Sequence, residues 1–273
     1  MIKPLLLVFA LSSIHGCAFL PQEKTGVDEL DALRSKTIIS ISDGVKKVKG
    51  ESQNLRLKSL RSVAIATGIS HGRKWRQKKI NAWLEDMHVE LATTFNFEML
   101  LIDGVYFPSR IDEVKSHVEL VNDKQIRFIR HSYKIATQPK LVLQAPTFLN
   151  YLYQVPDNVT PPNPLALPIK GTSEEQVWSD GITLGWQLGI DQANDSFEQD
   201  INLLIRDYTG LNRYFDLVQK RLIKPPQINI DEKGIVITAR GKTLNVGDEL
   251  IGISADPTFN HPELWDTKSE TYE

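Results

Sequence analysis

Few residues of this chain are spaced as catalytic chemistry requires. Its 273 residues include one cysteine, Cys17, and six histidines. A single thiol forms neither an internal disulfide nor a cysteine-based zinc site. Beyond residue 17 the histidines are His71, His88, His117, His131 and His261, and none belongs to a His-Glu-x-x-His pair. That spacing is what puts two imidazoles and a general base on one helix face of a zinc hydrolase. His88-Val89-Glu90 holds an acid two positions from an imidazole, and such positions face different ways on a helix. A Walker loop and a Gly-x-Gly-x-x-Gly fingerprint are absent, and a Gly-x-Ser-x-Gly nucleophile elbow is expected to be absent too. Asp191, Asp195 and Glu198 share a helical face, read as a solvated acidic stripe or as carboxylates for hydrolysis. The expectation is no catalytic residue, no metal and no cofactor, with a ligand-binding or hydrolytic body as the alternative.

Two further patterns stand out. Between Glu51 and Glu85 there is no acid but eight bases: Arg56, Lys58, Arg61, Arg73, Lys74, Arg76, Lys78 and Lys79. Such a run suits a phosphate backbone or an anionic head group. It also suits a solvated helix face or a protein partner, and no stacking aromatics are interleaved with it; Trp75 and Trp83 are expected to pack inward. No direct nucleic-acid contact is expected. The second pattern is Gly181, Gly185 and Gly189, extended by Ala193 and flanked by Trp178 and Trp186. Four-residue spacing puts the glycines on one helix face without side-chain bulk. Each glycine costs about 1 kcal/mol against alanine inside a helix, so close backbone approach must offset it. The row is either an intramolecular packing groove or a docking groove for another molecule.

The elements that position these residues follow from periodicity. With 41% hydrophobic and 24% charged residues and a net charge of −2, the composition excludes disorder and a disulfide miniprotein, and gives no global field for nucleic acid. Helical spacing runs from 55 to 97, broken at Gly68 and Gly72 into two helices, the second over 73–95. Strands are expected at 99–102, 114–121, 125–136 and 140–144, with turns at Asp103-Gly104 and Asn122-Asp123-Lys124, one face buried and one wet. Five prolines within 156–168 make a rigid loop. A helix capped by Ser173 with Gln176 runs to about Asn194, and another spans 196–222 before Pro225-Pro226. Short strands follow at 227–230, 235–239, 242–246 and 250–253, turning at Glu232-Lys233-Gly234 and Arg240-Gly241. The fold class is α+β: antiparallel sheet elements packed with several amphipathic helices in a single domain. The boundaries are 1–16 a signal peptide, 17–53 a flexible tether with a weak amphipathic piece at 27–33 that orders on a partner, 54–255 the domain, and 256–273 a loose acidic tail.

The N-terminus resembles a bacterial lipoprotein signal. Lys3 precedes an apolar run from Pro4 to Leu11, too short to span a bilayer, and Ile14-His15-Gly16 lead to the sole cysteine. The resemblance implies cleavage between Gly16 and Cys17 and attachment of diacylglycerol to the Cys17 thiol, with palmitate among the fatty-acyl chains of the lipid. A chance cysteine after an ordinary export signal and a buried N-terminal helix are the other readings. Ala18 stands where inner-membrane lipoproteins carry aspartate, which favours lipid anchoring at the outer membrane, facing the periplasm.

One segment carries a family likeness. Trp178-Ser-Asp-Gly-Ile-Thr-Leu-Gly-Trp-Gln-Leu-Gly-Ile-Asp-Gln-Ala-Asn194, then Phe197 and Arg206-Asp-Tyr-Thr-Gly210, resembles the DotC family, as do Tyr133-Lys-Ile135 and the Pro225-Pro226 exit. Those are lipoproteins of type IVB (Dot/Icm) secretion machinery, with TraI counterparts in I-type conjugative plasmids. The resemblance implies a non-catalytic outer-membrane lipoprotein of the core complex. Its implied partners are a second small lipoprotein and a secretin-like subunit that it helps to place.

Overall fold

The computed structural model describes residues 27–37 and 50–261. Gly16, Cys17, the signal, most of the 17–53 stretch and residues 262–273 lie outside them. Helix takes 49% and strand 27%, and every strand pair is antiparallel, which makes the fold α+β as expected. In order come α1 (Val27–Arg34), α2 (Gly50–Asp86), α3 (His88–Thr94), β1 (Tyr106–Phe107), β2 (Ile111–Asn122), β3 (Gln125–Ile135), β4 (Lys140–Leu141) and α4 (Leu149–Leu152). Then follow α5 (Glu174–Gln219), β5 (Ile223–Lys224), β6 (Gln227–Thr238), β7 (Thr243–Ala255) and β8 (Thr258–Phe259). The contacts divide the chain into two compact units. The first reaches to Met87 and adds Tyr153–Glu198; the second holds His88–Leu152 and Gln199 onward.

In the first unit, α2 does not break at Gly68 or Gly72; it is one 37-residue helix. A glycine weakens a helix only by its intrinsic preference, about 1 kcal/mol, and tertiary packing on those glycines overrides that. Nor does a break fall near residue 195, since α5 runs unbroken for 46 residues. Its start is held by Thr172 rather than Ser173: the Thr172 hydroxyl accepts from the Glu174 N–H at 3.3 Å. Glu174 and Glu175 reach back to the N–H groups of Ile169 and Gly171. The piece expected to order on a partner is α1, and it docks on its own chain. Leu30 and Leu33 are buried in a cluster with Leu60, Ala64, Trp178, Ile182 and Trp186.

In the second unit the expected strand at 99–102 is instead a 3-10 turn, Glu98–Leu100, with Asp103 and Gly104 in left-handed backbone beyond it. Strand β4 keeps two residues of the five expected, paired with β1. Strands β2 and β3 make the expected hairpin, but the expected buried face is uncovered. The four expected C-terminal strands are two long ones, β6 and β7, forming one hairpin around a turn at Ala239–Gly241. Glu232-Lys233-Gly234 is a bulge within β6, where Lys233 and, opposite, Gly247 fall out of register. Gly234 and Gly247 hold positive φ there, which glycine adopts without strain. Residues 256–261, assigned to a loose tail, are tied down: β8 pairs with β5, and Asn260 bonds the carbonyls of Leu222 and Arg221. Helix α5 ends in a Schellman arrangement, Leu222 N–H to Leu217 O and Arg221 N–H to Val218 O, with Arg221 at φ 56°.

Candidate functional site

The glycine row of α5 meets a second row on α2. A Cβ added at Gly181 would stand 2.7 Å from the Ala64 Cβ; at Gly185 it would land on the Ile65 carbonyl, and at Gly189 on the Ile69 carbonyl. In return, a Cβ at Gly68 would meet the Ile182 carbonyl at 2.5 Å, and one at Gly72 the Trp186 carbonyl. The matched positions ascend together along both helices, which therefore run parallel. Five glycines interlock, and backbone packs directly on backbone. Of the two readings of the row, these distances describe the intramolecular one. Gly68 and Gly72 are the half of the site that sequence reading takes for helix breaks. Their four-residue spacing, equal to that of the α5 row, is the signal that identifies them.

The flanking tryptophans close the crossing. Trp178 is fully buried and donates from Nε1 to the Leu33 carbonyl at 2.9 Å, fastening the end of α1. Trp186 is buried too and tilts against Trp75, ring centroids 5.9 Å apart. Trp83 meets Phe197 edge-on, and Ala193 is fully buried beside that layer of the helix. Arg34 bonds the Ser179 hydroxyl at 3.0 Å, and Arg56 grips Glu174 through two bonds of 2.6 and 3.0 Å. That hydrogen bonding holds the Glu174 carboxyl below its ordinary range, against the opposite pull of burial. Arg73 pairs with Asp157, Arg76 bonds Asn194, and Lys79 stands over Trp75. Half of the basic run is thus engaged within its own unit.

In the second unit α5 clamps the base of the β2–β3 hairpin. Arg110 meets Asp207 at 2.8 Å and Asp112 at 3.1 Å, and the Tyr151 hydroxyl donates to Asp207 at 3.4 Å. Burial first, then the Asp207 charge, pushes the Tyr151 phenol up to about 12. Tyr208 packs edge-on against Phe95 and Phe97, and Phe97 stacks on Tyr151. Gly210 lets the Arg110 side chain and the Ile111 carbonyl approach α5. Arg213 donates to the Ile111 carbonyl at 2.7 Å and pairs with Glu113 at 3.1 Å. Burial pushes the Glu113 carboxyl up, but His131 at 2.9 Å, Arg213, Lys115 and Tyr133 together hold it below the ordinary range. Asp207-Tyr208-Thr209-Gly210 therefore has a mechanical meaning. It is where the hairpin is bolted to the long helix.

The described histidines are not gathered with one another. His71 lies by Glu29, His88 against the Phe148 ring, His117 by Glu119 and His131 by Glu113. Among the described residues no group of three or more His, Cys, Asp or Glu is arranged to hold a metal ion. Asp191 accepts from Gln187 at 2.9 Å, and Asp195 and Glu198 are exposed with it. Gly68-Ile69-Ser70-His71-Gly72 does carry Gly-x-Ser-x-Gly spacing, which the expectation of no elbow overlooks. It sits inside α2 with no strand before it, and the Ser70 hydroxyl bonds the Ala66 carbonyl at 3.0 Å. No described helix is long and apolar enough to cross a membrane.

Fold and site together define an α+β protein built on a glycine-faced helix crossing and on two antiparallel hairpins, one bolted at its base. The chain belongs to the TraI family of the type IV secretory system, described as acting in conjugal DNA–protein transfer, whose profile matches residues 54–267. Its role lies in a type IV secretion system. No curated protein matched the chain.

Proposed function

We propose that the protein is a non-catalytic lipoprotein of a type IVB, DotC-like core complex. It is anchored in the outer membrane through acylated Cys17, faces the periplasm, and helps to place a larger secretin-like subunit together with a second small lipoprotein. The family match over residues 54–267 carries this reading. It is supported by the position of the only thiol behind a short apolar run and by the use of the specialised glycines and tryptophans for packing. The anchor also has a mechanical consequence. Nine residues lie between Cys17 and Val27, which makes ten Cα-to-Cα steps, and an extended chain spans at most about 3.5 Å per step. The α1 end of the helix crossing would then sit within about 35 Å of the bilayer.

The test is metabolic labelling with an alkyne palmitate analogue, followed by membrane fractionation and a plasmid-transfer assay. We expect label on the protein, co-sedimentation with outer-membrane markers, and loss of label, address and transfer in Cys17→Ser. Unlabelled protein, or a Cys17→Ser variant with normal address and transfer, overturns the anchor. Labelled protein that sediments with the inner membrane overturns the address.

A further inference from the structure

The two long hairpins leave apolar rows uncovered. On β2–β3 the register pairs Val118 with Phe128 and Leu120 with Ile126, and Val114 with Ser132 nearer the base. Cross-strand partners share a face, as do alternate residues, so these form one row; Phe128 is 75% exposed and Leu120 71%. Between Val114 and Val118 the row contains Ser116, at φ 54°, and Arg130, which together with Val118 and Phe128 line a shallow hollow. On β6–β7 the register pairs Ile230 with Ile251, Glu232 with Glu249, Ile235 with Val246 and Ile237 with Leu244. One extra residue in each strand at the bulge keeps the last two pairs on the same face as the first two. Val246 is 72% exposed. Neither Arg130, Glu232 nor Glu249 has an ion pair among the described residues.

Toward the tip the two rows run alike: past Val114 on one and the Ile230–Ile251 pair on the other comes a charged position, then two apolar pairs. The charge is positive on β2–β3 and negative on β6–β7. Two carboxylates directly opposed across a ladder destabilise it, and a lone two-stranded hairpin with an uncovered apolar face is at best marginal in water. One cation against both carboxylates, with apolar rows on either side, removes both costs. Within a copy the two ribbons leave each other exposed. We infer that the β2–β3 face of one copy docks on the β6–β7 face of a second copy of this chain, Arg130 seated between Glu232 and Glu249 of its neighbour. The contact joins two different surfaces, so it propagates from copy to copy and closes into a ring when the rotation permits. It does not depend on the lipid anchor.

The test is disulfide trapping between two differently tagged full-length copies in the same cells, with the parent chain, whose only thiol is Cys17, as control. Phe128→Cys in one copy and Val246→Cys in the other should give a mixed adduct. Either variant paired with itself should give at least tenfold less. Arg130→Glu in the Phe128→Cys copy should lower the mixed adduct at least tenfold, and Glu232→Arg with Glu249→Arg in the other copy should restore it. Three results overturn the inference: no mixed adduct although both copies reach the secretion complex, self-adducts equal to mixed ones, or an adduct lost in Arg130→Glu and not restored by the reversal. The first of these leaves another subunit as the occupant of the ribbons. Restoration by reversal also separates a broken contact from a misfolded variant, because only partners that meet can rescue each other.

Discussion

At the helix crossing, Gly185 leaves no space for a single added carbon, whereas on the β2–β3 ribbon Phe128 stands three-quarters exposed. The first region gives up side chains so that two backbones can touch, and hides Trp178 and Trp186 beside them. The second carries large apolar side chains and hides almost none beyond Ile111. The difference lies in what completes each surface. The crossing is finished by its own chain, including α1, whereas the ribbon is secured only at its base, through Arg110–Asp207 and Arg213–Glu113. The first region is completed within its own unit and the second leaves its apolar faces bare, so substitutions in the two regions should behave in opposite ways.

Gly185→Leu should have the largest effect. The new side chain falls on the Ile65 carbonyl, and α2 cannot yield without losing its contacts at Gly68 and Gly72. Overpacking costs about 1–3 kcal/mol in ordinary cores and more where backbone is the obstacle; the gain in helix preference returns at most about 1 kcal/mol. Urea unfolding should show a loss above about 3 kcal/mol, or no folded protein. A variant of wild-type stability would mean that the helices are not in backbone contact.

Trp178→Phe comes next. It keeps most of the ring volume but strands the Leu33 carbonyl, whose donor is lost. A buried group left without its partner costs about 1–3 kcal/mol. Because Leu33 is the inner end of α1, the loss should concentrate there: limited proteolysis should cut near residues 35–37 sooner, while α2 and α5 remain protected. Uniform destabilisation without faster cleavage would show that α1 does not depend on this bond.

The two regions also differ in how legible they are from sequence. The α5 glycine row could be read because four-residue spacing is a local pattern. Its counterpart, Gly68 and Gly72, carries the same spacing, but a glycine in a helix marks either a break or a contact, and only the opposing helix decides which. The hairpin alternation at Val114, Val118 and Leu120 was readable for the same local reason. Whether that face is covered depends on residues far along the chain, which alternation does not contain. Glu232-Lys233-Gly234 looked like a turn because bulges and turns both recruit glycine at positive φ. The Arg110–Asp207 bolt joins positions 97 residues apart, and no periodicity links them.

Glu113 tests the bolt by pH. Its carboxyl is held below the ordinary range in the folded chain, so its contribution is complete above the unfolded value, about 4.3, and is lost as pH falls through the folded one. Glu113→Gln should therefore be less stable than the wild type at pH 7, by about 1–2 kcal/mol given the charged hydrogen bonds it removes. The two proteins should converge as the pH is lowered below the ordinary glutamate range. Parallel stability curves down to the acid limit would show that the contacts from His131 and Arg213 do not stabilise the charged form.

Phe128→Ser should have the smallest effect on the isolated protein and is the most informative about the contrast. The ring is exposed, so removing it takes little apolar surface out of contact, and substitutions at such positions stay within about 0.5 kcal/mol. At the crossing, a change that small would mean failure of the packing argument; on the ribbon it is what a surface waiting for cover requires. The decisive measurement pairs unfolding with transfer: unchanged stability together with reduced conjugal transfer means that the ring works in the assembly and not in the fold. Unchanged stability with unchanged transfer would make the ribbon an idle surface. A loss of stability as large as that of Trp178→Phe would mean that the ribbon face is covered by its own chain, which would abolish the distinction between a closed helix crossing and a bare ribbon.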